Sequence, residues 1–415
     1  MALRLIRRYV AREILVPFGL GLFILTFVIM MFQILKVTDL MVNYGLRLAD
    51  VLRVFMYLLP PFTVFTIPMA FLLGVMLAVG RLSSDSEIVA MKASGVSLVQ
   101  LLPPVMVLAA AAYVFSSALS LYADPWGKLQ SKLMLERVGT QFAGALLKEK
   151  VFNTDISNLV IYIEEIDPAT KDLSGIFISD ESQPDLPIVI TAARGKITHS
   201  PTGGKVAFQL EDGAIHRTLA DASIYDAAHF ERNEIVYDIR KGLAGEAGKK
   251  SYLEMTLPEL STYIESLRVD LRAGGLDDGA MKDKTREMRR AWVEYHRKFS
   301  FPFACVVFGI LGLPLGVVAP RSGRGQGFTM AIVVLCAYYL LFRVGENLGW
   351  KGVVHPFFAM WAPNLLYLVA GAYLVWSKTR ERPVWVIEKL GAVSTRVVEI
   401  ARRRVAGHGP GESAS

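Results

Sequence analysis

Apolar residues gather into six long runs, at about residues 13–35, 52–79, 100–122, 300–319, 327–347 and 357–376. A bilayer core about 30 Å thick needs roughly 20 apolar helical residues to cross it, so each run predicts a transmembrane helix. The runs fall into two groups of three. Between them, from about 151 to 240, the pattern changes to short stretches rich in Ile, Val, Phe and Tyr: NLVIYIEEI, GIFIS, PIVITA, GKVAFQL and NEIVYDI. Turn signals separate these at Asp167–Pro168, Pro201-Thr202-Gly203-Gly204 and Asp212–Gly213. Short strands at this spacing predict a sandwich or open roll, and residues 159–163 should alternate between a covered face and a solvent face. Thr256-Leu-Pro-Glu259 then predicts a capping box opening a helix over about 257–272. That helix should break at Gly274–Gly275, and a second, over about 280–298, should run into the fourth span.

One polar segment sits between the second and third spans: SSDSEIVAMKASGVS, residues 83–97. Ser84-x-x-Glu87 has the spacing of a capping box, and Gly95 suits the residue just past a helix end. The segment therefore predicts a short helix over about 84–95, with Ile88, Met91 and Val89 on its apolar face. Such a helix is marginal alone in water and must dock on something. Either Glu87 only caps a helix lying flat on the membrane surface, or the helix is a rigid knob that couples the membrane part to a motor protein.

Charge gives the spans a direction. Arg4, Arg7, Arg8 and Arg12 precede the first span, Arg81 and Lys92 follow the second, and Arg321 and Arg324 follow the fourth. Lys378, Arg380 and Arg382 follow the sixth, with Arg402, Arg403 and Arg404 beyond. With six spans all of these share one side, which the positive-inside rule makes cytoplasmic. Both termini are then inside and the β region outside. The net charge of +7 is mostly this signal and does not require nucleic acid as a partner. The cluster REMRRAWVEYHRK at 286–298 is the exception, following a long domain where the rule weakens. The first run exceeds the ~7–15 residues of a signal-peptide core and predicts an uncleaved anchor. After Arg404 the Gly- and Ser-rich tail predicts disorder.

Candidate chemistry is sparse. With 53% hydrophobic residues and a positive mean hydropathy, one soluble globule is excluded. Cys305 and Cys336 lie in predicted spans and form no disulfide framework. His199, His216 and His229 are scattered, and no catalytic triad, metal cluster or P-loop is present. Every Gly-Lys pair lacks the upstream glycine of a phosphate-binding loop. If ATP drives this protein, another chain binds it and its magnesium; no cofactor is expected here. A proton-driven carrier would want carboxylates within the spans, and these are nearly absent. Glu346 stands near the outer end of the fifth span, at i+3 from Arg343. Lys36 ends the first span on the same side. Snorkelling and an Arg343–Glu346 pair are the plain explanations of these cations; contact with an anionic lipid headgroup is the functional one.

Three stretches carry a resemblance: RRYVAREIL at the start, GRLSSDSEIVAMKASGVS, and PFACVVFGILGLPLGVVAPRSGRGQGF. With three spans, an external β domain and three more spans, the chain resembles the LptF/LptG permease family over nearly its whole length. The opening and the APRSGRGQGF loop are more like the LptF branch. The resemblance implies a polytopic α-helical membrane protein, six transmembrane helices with an inserted all-β jellyroll-like periplasmic domain. It implies residues 1–125 as spans one to three, 126–256 as the β domain and 257–298 as a helical connector. Residues 299–378 would be spans four to six and 379–415 a basic cytoplasmic tail. It also implies a subunit, not itself an enzyme, of an ABC transporter that draws lipopolysaccharide from the outer leaflet of the Gram-negative inner membrane into a periplasmic bridge. Its implied partners are an LptG-like permease, an LptB-like ATPase dimer and an LptC-like bitopic protein. Glu87, with Ile88, Met91 and Lys92 beside it, would meet the ATPase; Lys36 would meet the lipid headgroup, and Arg343 is joined to it as a second cation. A lipoprotein-release permease, which usually has four spans, and a membrane-anchored lipid-binding scaffold are the alternatives.

Overall fold

The computed structural model describes residues 2–44, 48–141, 149–153, 159–167, 172–180, 188–199, 205–218, 225–238, 250–273, 277–317 and 326–380. The Gly274–Gly275 break, the 201–204 turn, most of the APRSGRGQGF loop and the tail from 381 onward lie outside the described residues, as does the side chain of Lys36. The chain forms two compact units. One comprises 1–31, 59–126 and 252–415; the other comprises 32–58 and 127–251.

The helices are α1 (Ala2–Tyr44), α2 (Leu48–Ser84), α3 (Glu87–Ala93), α4 (Leu98–Ala118), a π-helical turn (Leu119–Ala123), α5 (Asp124–Gln141), α6 (Leu257–Ala273), α7 (Asp278–Gly316), α8 (Gln326–Lys351) and α9 (Pro356–Thr379). Among the described residues six stretches are long and apolar enough to cross a membrane: Arg4–Gln33, Leu48–Ser84, Leu98–Met134, Asp278–Gly316, Gly327–Lys351 and Pro356–Thr379. These coincide with the six apolar runs. The helix over 280–298 and the fourth span are one continuous helix, α7. Ahead of it, Glu259 accepts the Thr256 backbone N–H at 2.9 Å, and α6 starts where the capping residues place it.

Within the first unit the helices share two apolar cores. Leu72 and Met76 of α2 meet Phe301, Phe308 and Leu311 of α7, Tyr338 and Phe342 of α8, and Met360 of α9. The second core joins Val10 and Ile14 of α1, Phe71, Val75 and Leu82 of α2, Ile88 of α3, Leu98 and Leu101 of α4, and Cys305 of α7. Helices α2 and α7 feed both, so 72% and 78% of their most apolar windows are buried, against 6% for α1. Lipid tails are as apolar as a leucine core, so small residues and internal hydrogen bonds decide which helices touch. Gly312 brings α7 so close to α2 that a Cβ there would stand 3.0 Å from Val75 Cγ1. The Tyr338 hydroxyl donates to Asn364 Oδ1 at 2.9 Å, and Asn364 Nδ2 donates to the Ser300 carbonyl at 2.7 Å, tying α8, α9 and α7. Of the two cysteines, Cys305 packs in the core and Cys336 is exposed; both are free thiols.

A Cβ on Gly345 of α8 would collide with the Ala359 carbonyl of α9. Gly345→Val is therefore expected to destabilise the helical unit by about 1–3 kcal/mol, the usual cost of overpacking. A lower unfolding midpoint of the detergent-solubilised protein would show it; an unchanged midpoint would deny the close crossing.

The described residues of the second unit include five antiparallel strands in sequential order: β1 (Leu159–Ile166), β2 (Asp172–Asp180), β3 (Ile188–His199), β4 (Lys205–Thr218) and β5 (Tyr225–Asp238). Along β1, Leu159, Ile161 and Ile163 are buried and Val160 and Tyr162 half-buried, so the period-two pattern reads correctly. The register aligns Ile161, Ile178, Ile190 and Ile215 across one face. The outer edge of β1 is occupied by residues 150–153: Asn153 and Ile161 exchange two backbone hydrogen bonds, at 2.7 and 3.0 Å. The described strands make one meander sheet.

Candidate functional site

The short helix of the 83–97 segment exists, but not as the capping spacing predicts. Helix α2 runs through Ser84, whose hydroxyl turns back to the Gly80 carbonyl at 2.9 Å. A serine inside a helix commonly bonds its own preceding turn, which removes it from capping duty. The chain reverses at Ser86, left-handed with φ 60°, and α3 begins at Glu87 with no side-chain cap. Its end is as expected. Gly95 takes φ +82°, with Gly95 N–H on the Lys92 carbonyl and Val96 N–H on the Met91 carbonyl, both at 2.9 Å. This is the Schellman pattern, and glycine supplies it without a Cβ penalty. At the next helix start, which sequence reading passed over, Gln100 accepts the Ser97 N–H at 3.2 Å. The S-x-x-Q spacing was the signal there.

Glu87 is therefore free of capping and differently held. The Tyr9 hydroxyl of α1 donates to Glu87 Oε1 at 3.2 Å. One turn on, Glu13 pairs with Arg81 of α2 at 2.7 Å. Ile88 is 2% exposed in the second core, and Met91 packs against it. Val89, Ala90, Lys92 and Ala93 face outward. The helix is a docked knob whose buried side is Ile88 and Met91 and whose rim carries Glu87 and Lys92. Beside it, Lys378 of α9 donates to the Val317 carbonyl at 2.9 Å, closing the end of α7.

The opposite end of the same unit holds charges that the pattern of apolar runs did not reveal. Glu294 (3% exposed) and Lys298 (2%) of α7 are buried, as are Asp124 of α5 (6%) and Glu346 of α8 (4%). Arg297 donates to both Glu294 oxygens, at 2.7 and 2.8 Å. Asp124 and Glu346 lie within electrostatic reach of the same guanidinium. Lys298 Nζ donates to the Ser120 carbonyl, at 3.4 Å, inside the π-helical turn, where the shifted backbone pairing redirects a carbonyl. Burial pushes the nearby Tyr252 hydroxyl above the ordinary phenol range, with Arg290 opposing. So the basic run at 286–298 is in part neutralised inside the fold. Its i, i+3 and i+4 spacings across 294, 297 and 298 were the visible signal.

Arg343 pairs with Glu346, the intrahelical alternative weighed from sequence, and its side chain stays 68% exposed while Glu346 is buried. Lys36 lies on α1. Among the described residues no group of three or more His, Cys, Asp or Glu side chains converges as a metal site.

Six membrane-length helices among the described residues, an inserted antiparallel sheet and a short docked helix at one bundle end define a polytopic membrane protein with an inserted β unit. A family model described as lipopolysaccharide export system permease LptF/LptG matches residues 8–377. The chain is 23% identical over 375 residues to the lipopolysaccharide export system permease protein LptF of Escherichia coli K12, covering 89% of this chain and 94% of that protein. It is 30% identical over 176 residues to LptG of the same strain, covering 41% and 47%. An uncharacterized protein of Rickettsia prowazekii is 24% identical over 209 residues, covering 50% of this chain and 57% of that one. This chain belongs to the LptF/LptG family of lipopolysaccharide-export permeases.

Proposed function

We propose that this protein is the LptF-type half of an ABC transporter that extracts lipopolysaccharide from the outer leaflet of the inner membrane. An LptG-like permease completes the heterodimer, an LptB-like ATPase dimer binds ATP and magnesium, and an LptC-like protein joins outside. Both termini and α3 are cytoplasmic, and the β unit is a periplasmic jellyroll-like domain feeding the bridge toward the outer membrane. The long match to LptF, against a match to LptG over less than half of this chain, supports the assignment of branch. The observation that carries the mechanism is α3. A seven-residue helix gains its stability from the bundle beneath it, and it holds a glutamate and a lysine at the rim. Glu87 and Lys92 meet the ATPase, while Ile88 and Met91 transmit its push into the second core. Membranes solubilised under mild conditions should yield a second permease and an ATPase with the tagged chain. Recovery of the chain alone, across several detergents, would overturn the assignment.

Lipid enters, on this reading, past Lys36 and Arg343 at the outer headgroup level, where phosphates carry the negative charge. Arg343 is exposed enough to exchange its bond to Glu346 for one to phosphate. Lys36→Glu is expected to lower lipopolysaccharide crosslinking and export by roughly tenfold, the worth of one charge-assisted contact. Arg343→Gln should do so less, and is preferable to a glutamate, which would set a like charge beside buried Glu346. Co-purification with the ATPase should persist in both. Normal export in the double variant would rule this entry site out.

A further inference from the structure

Helix α1 contains Pro17. Before it, Val10 and Ile14 are fully buried in the core that holds Ile88 of α3, and just after it Phe18 and Leu22 still pack against that core. The opposite face, with Leu15, Val16, Leu20, Phe23 and Phe27, is exposed. Proline removes one backbone hydrogen bond, the one that Glu13 would otherwise accept, and is a common origin of helix bending. The buried part is joined to α3 and its approach by polar contacts as well. Glu13 pairs with Arg81 at 2.7 Å, the Tyr9 hydroxyl lies within electrostatic reach of Arg81, and Tyr9 donates to Glu87 at 3.2 Å. These contacts join the first membrane helix to the last turn of α2 and to the first residue of α3.

We infer that the turns of α1 before Pro17 are a positioning arm for α3, in which Tyr9 holds Glu87 and Glu13 holds Arg81, so that displacement of α3 is passed into the first membrane helix. The inference rests on the reading of α3 as the surface that meets a nucleotide-hydrolysing partner. Tyr9 touches neither nucleotide nor lipid; it is a positioning residue. Its hydroxyl orients the carboxylate, and its ring, packed at the margin of the core, keeps the two helices in register. The salt bridge alone, half exposed on the Arg81 side, would contribute little to stability. Its value here is directional, because it ties α1 to α2 one turn from the Tyr9 contact.

The test uses the full complex with its ATPase in proteoliposomes containing lipopolysaccharide, with three readouts: ATPase recovered on purification, ATP hydrolysed, and lipid moved per ATP. Tyr9→Phe keeps the ring and removes only the hydroxyl. It is expected to leave recovery unchanged and hydrolysis within about twofold, while lipid moved per ATP falls roughly fivefold, the scale of one typical net hydrogen bond. Glu13→Lys should lower the same ratio, and Glu13→Lys with Arg81→Glu should restore it. A merely structural Tyr9 would lower recovery and both activities together, and that result overturns the inference, as does a wild-type ratio in Tyr9→Phe. Glu87→Ala separates this from the underlying reading. If Glu87→Ala recovers ATPase at the wild-type level, the docking surface itself is wrong and the arm falls with it. If it loses the ATPase while Tyr9→Phe behaves as wild type, only the arm is wrong.

Discussion

Glu294→Leu is expected to destabilise the helical unit by about 3–5 kcal/mol, the usual cost of leaving one half of a buried ion pair without the other. Glu294 is 3% exposed and accepts two hydrogen bonds from Arg297, whose side chain is itself only 16% exposed. Removing the carboxylate leaves a guanidinium in an apolar bundle with Asp124 and Glu346 as its remaining counter-charges. Glu294→Gln keeps one acceptor and should cost less. Glu294→Leu combined with Arg297→Met removes both charges and should recover part of the loss, because the desolvation of two ions is relieved along with their attraction. Unfolding midpoints of detergent-solubilised wild type, Glu294→Leu, Arg297→Met and the double variant, taken as a double-mutant cycle, would measure this. Additive single effects would deny the pair.

The second large effect belongs to Glu87. Glu87→Ala is expected to weaken ATPase binding by roughly ten- to a hundredfold, the range for losing a charge-assisted contact. Glu87→Gln isolates the charge, since its amide oxygen still accepts the Tyr9 hydroxyl. Neither variant removes Ile88, so α3 stays seated on the bundle. Co-purified ATPase per membrane-inserted permease is the measurement. Wild-type recovery with Glu87→Gln would mean that the charge is not what the partner reads.

Ser84-x-x-Glu87 has a capping spacing, yet α2 continues through Ser84 and the reversal falls at Ser86. Capping rules describe local competition for orphan N–H groups; they do not know that Leu82, at 1% exposure, holds the last turn of α2 in a core. Gly95 was legible because a left-handed residue after a helix is a local demand that glycine meets. The basic run at 286–298 looked like an exception to the charge rule because sequence hides that Asp124 lies near Arg297 and Ser120 within reach of Lys298.

By itself the sequence determined the membrane class, the six helices, the β insertion and the short helix after the second span. Each of these rests on a periodicity or run length that local physics imposes. Only the tertiary structure decided which helices are central, that Glu87 answers to Tyr9 rather than to its own backbone, and that four ionisable side chains at one bundle end are buried. Spans apolar all round carry no stripe to say which face meets protein. Their contacts are settled by close approach at glycines such as Gly312 and Gly345 and by polar pairs whose members lie far apart in the chain, and neither is visible until the helices are packed.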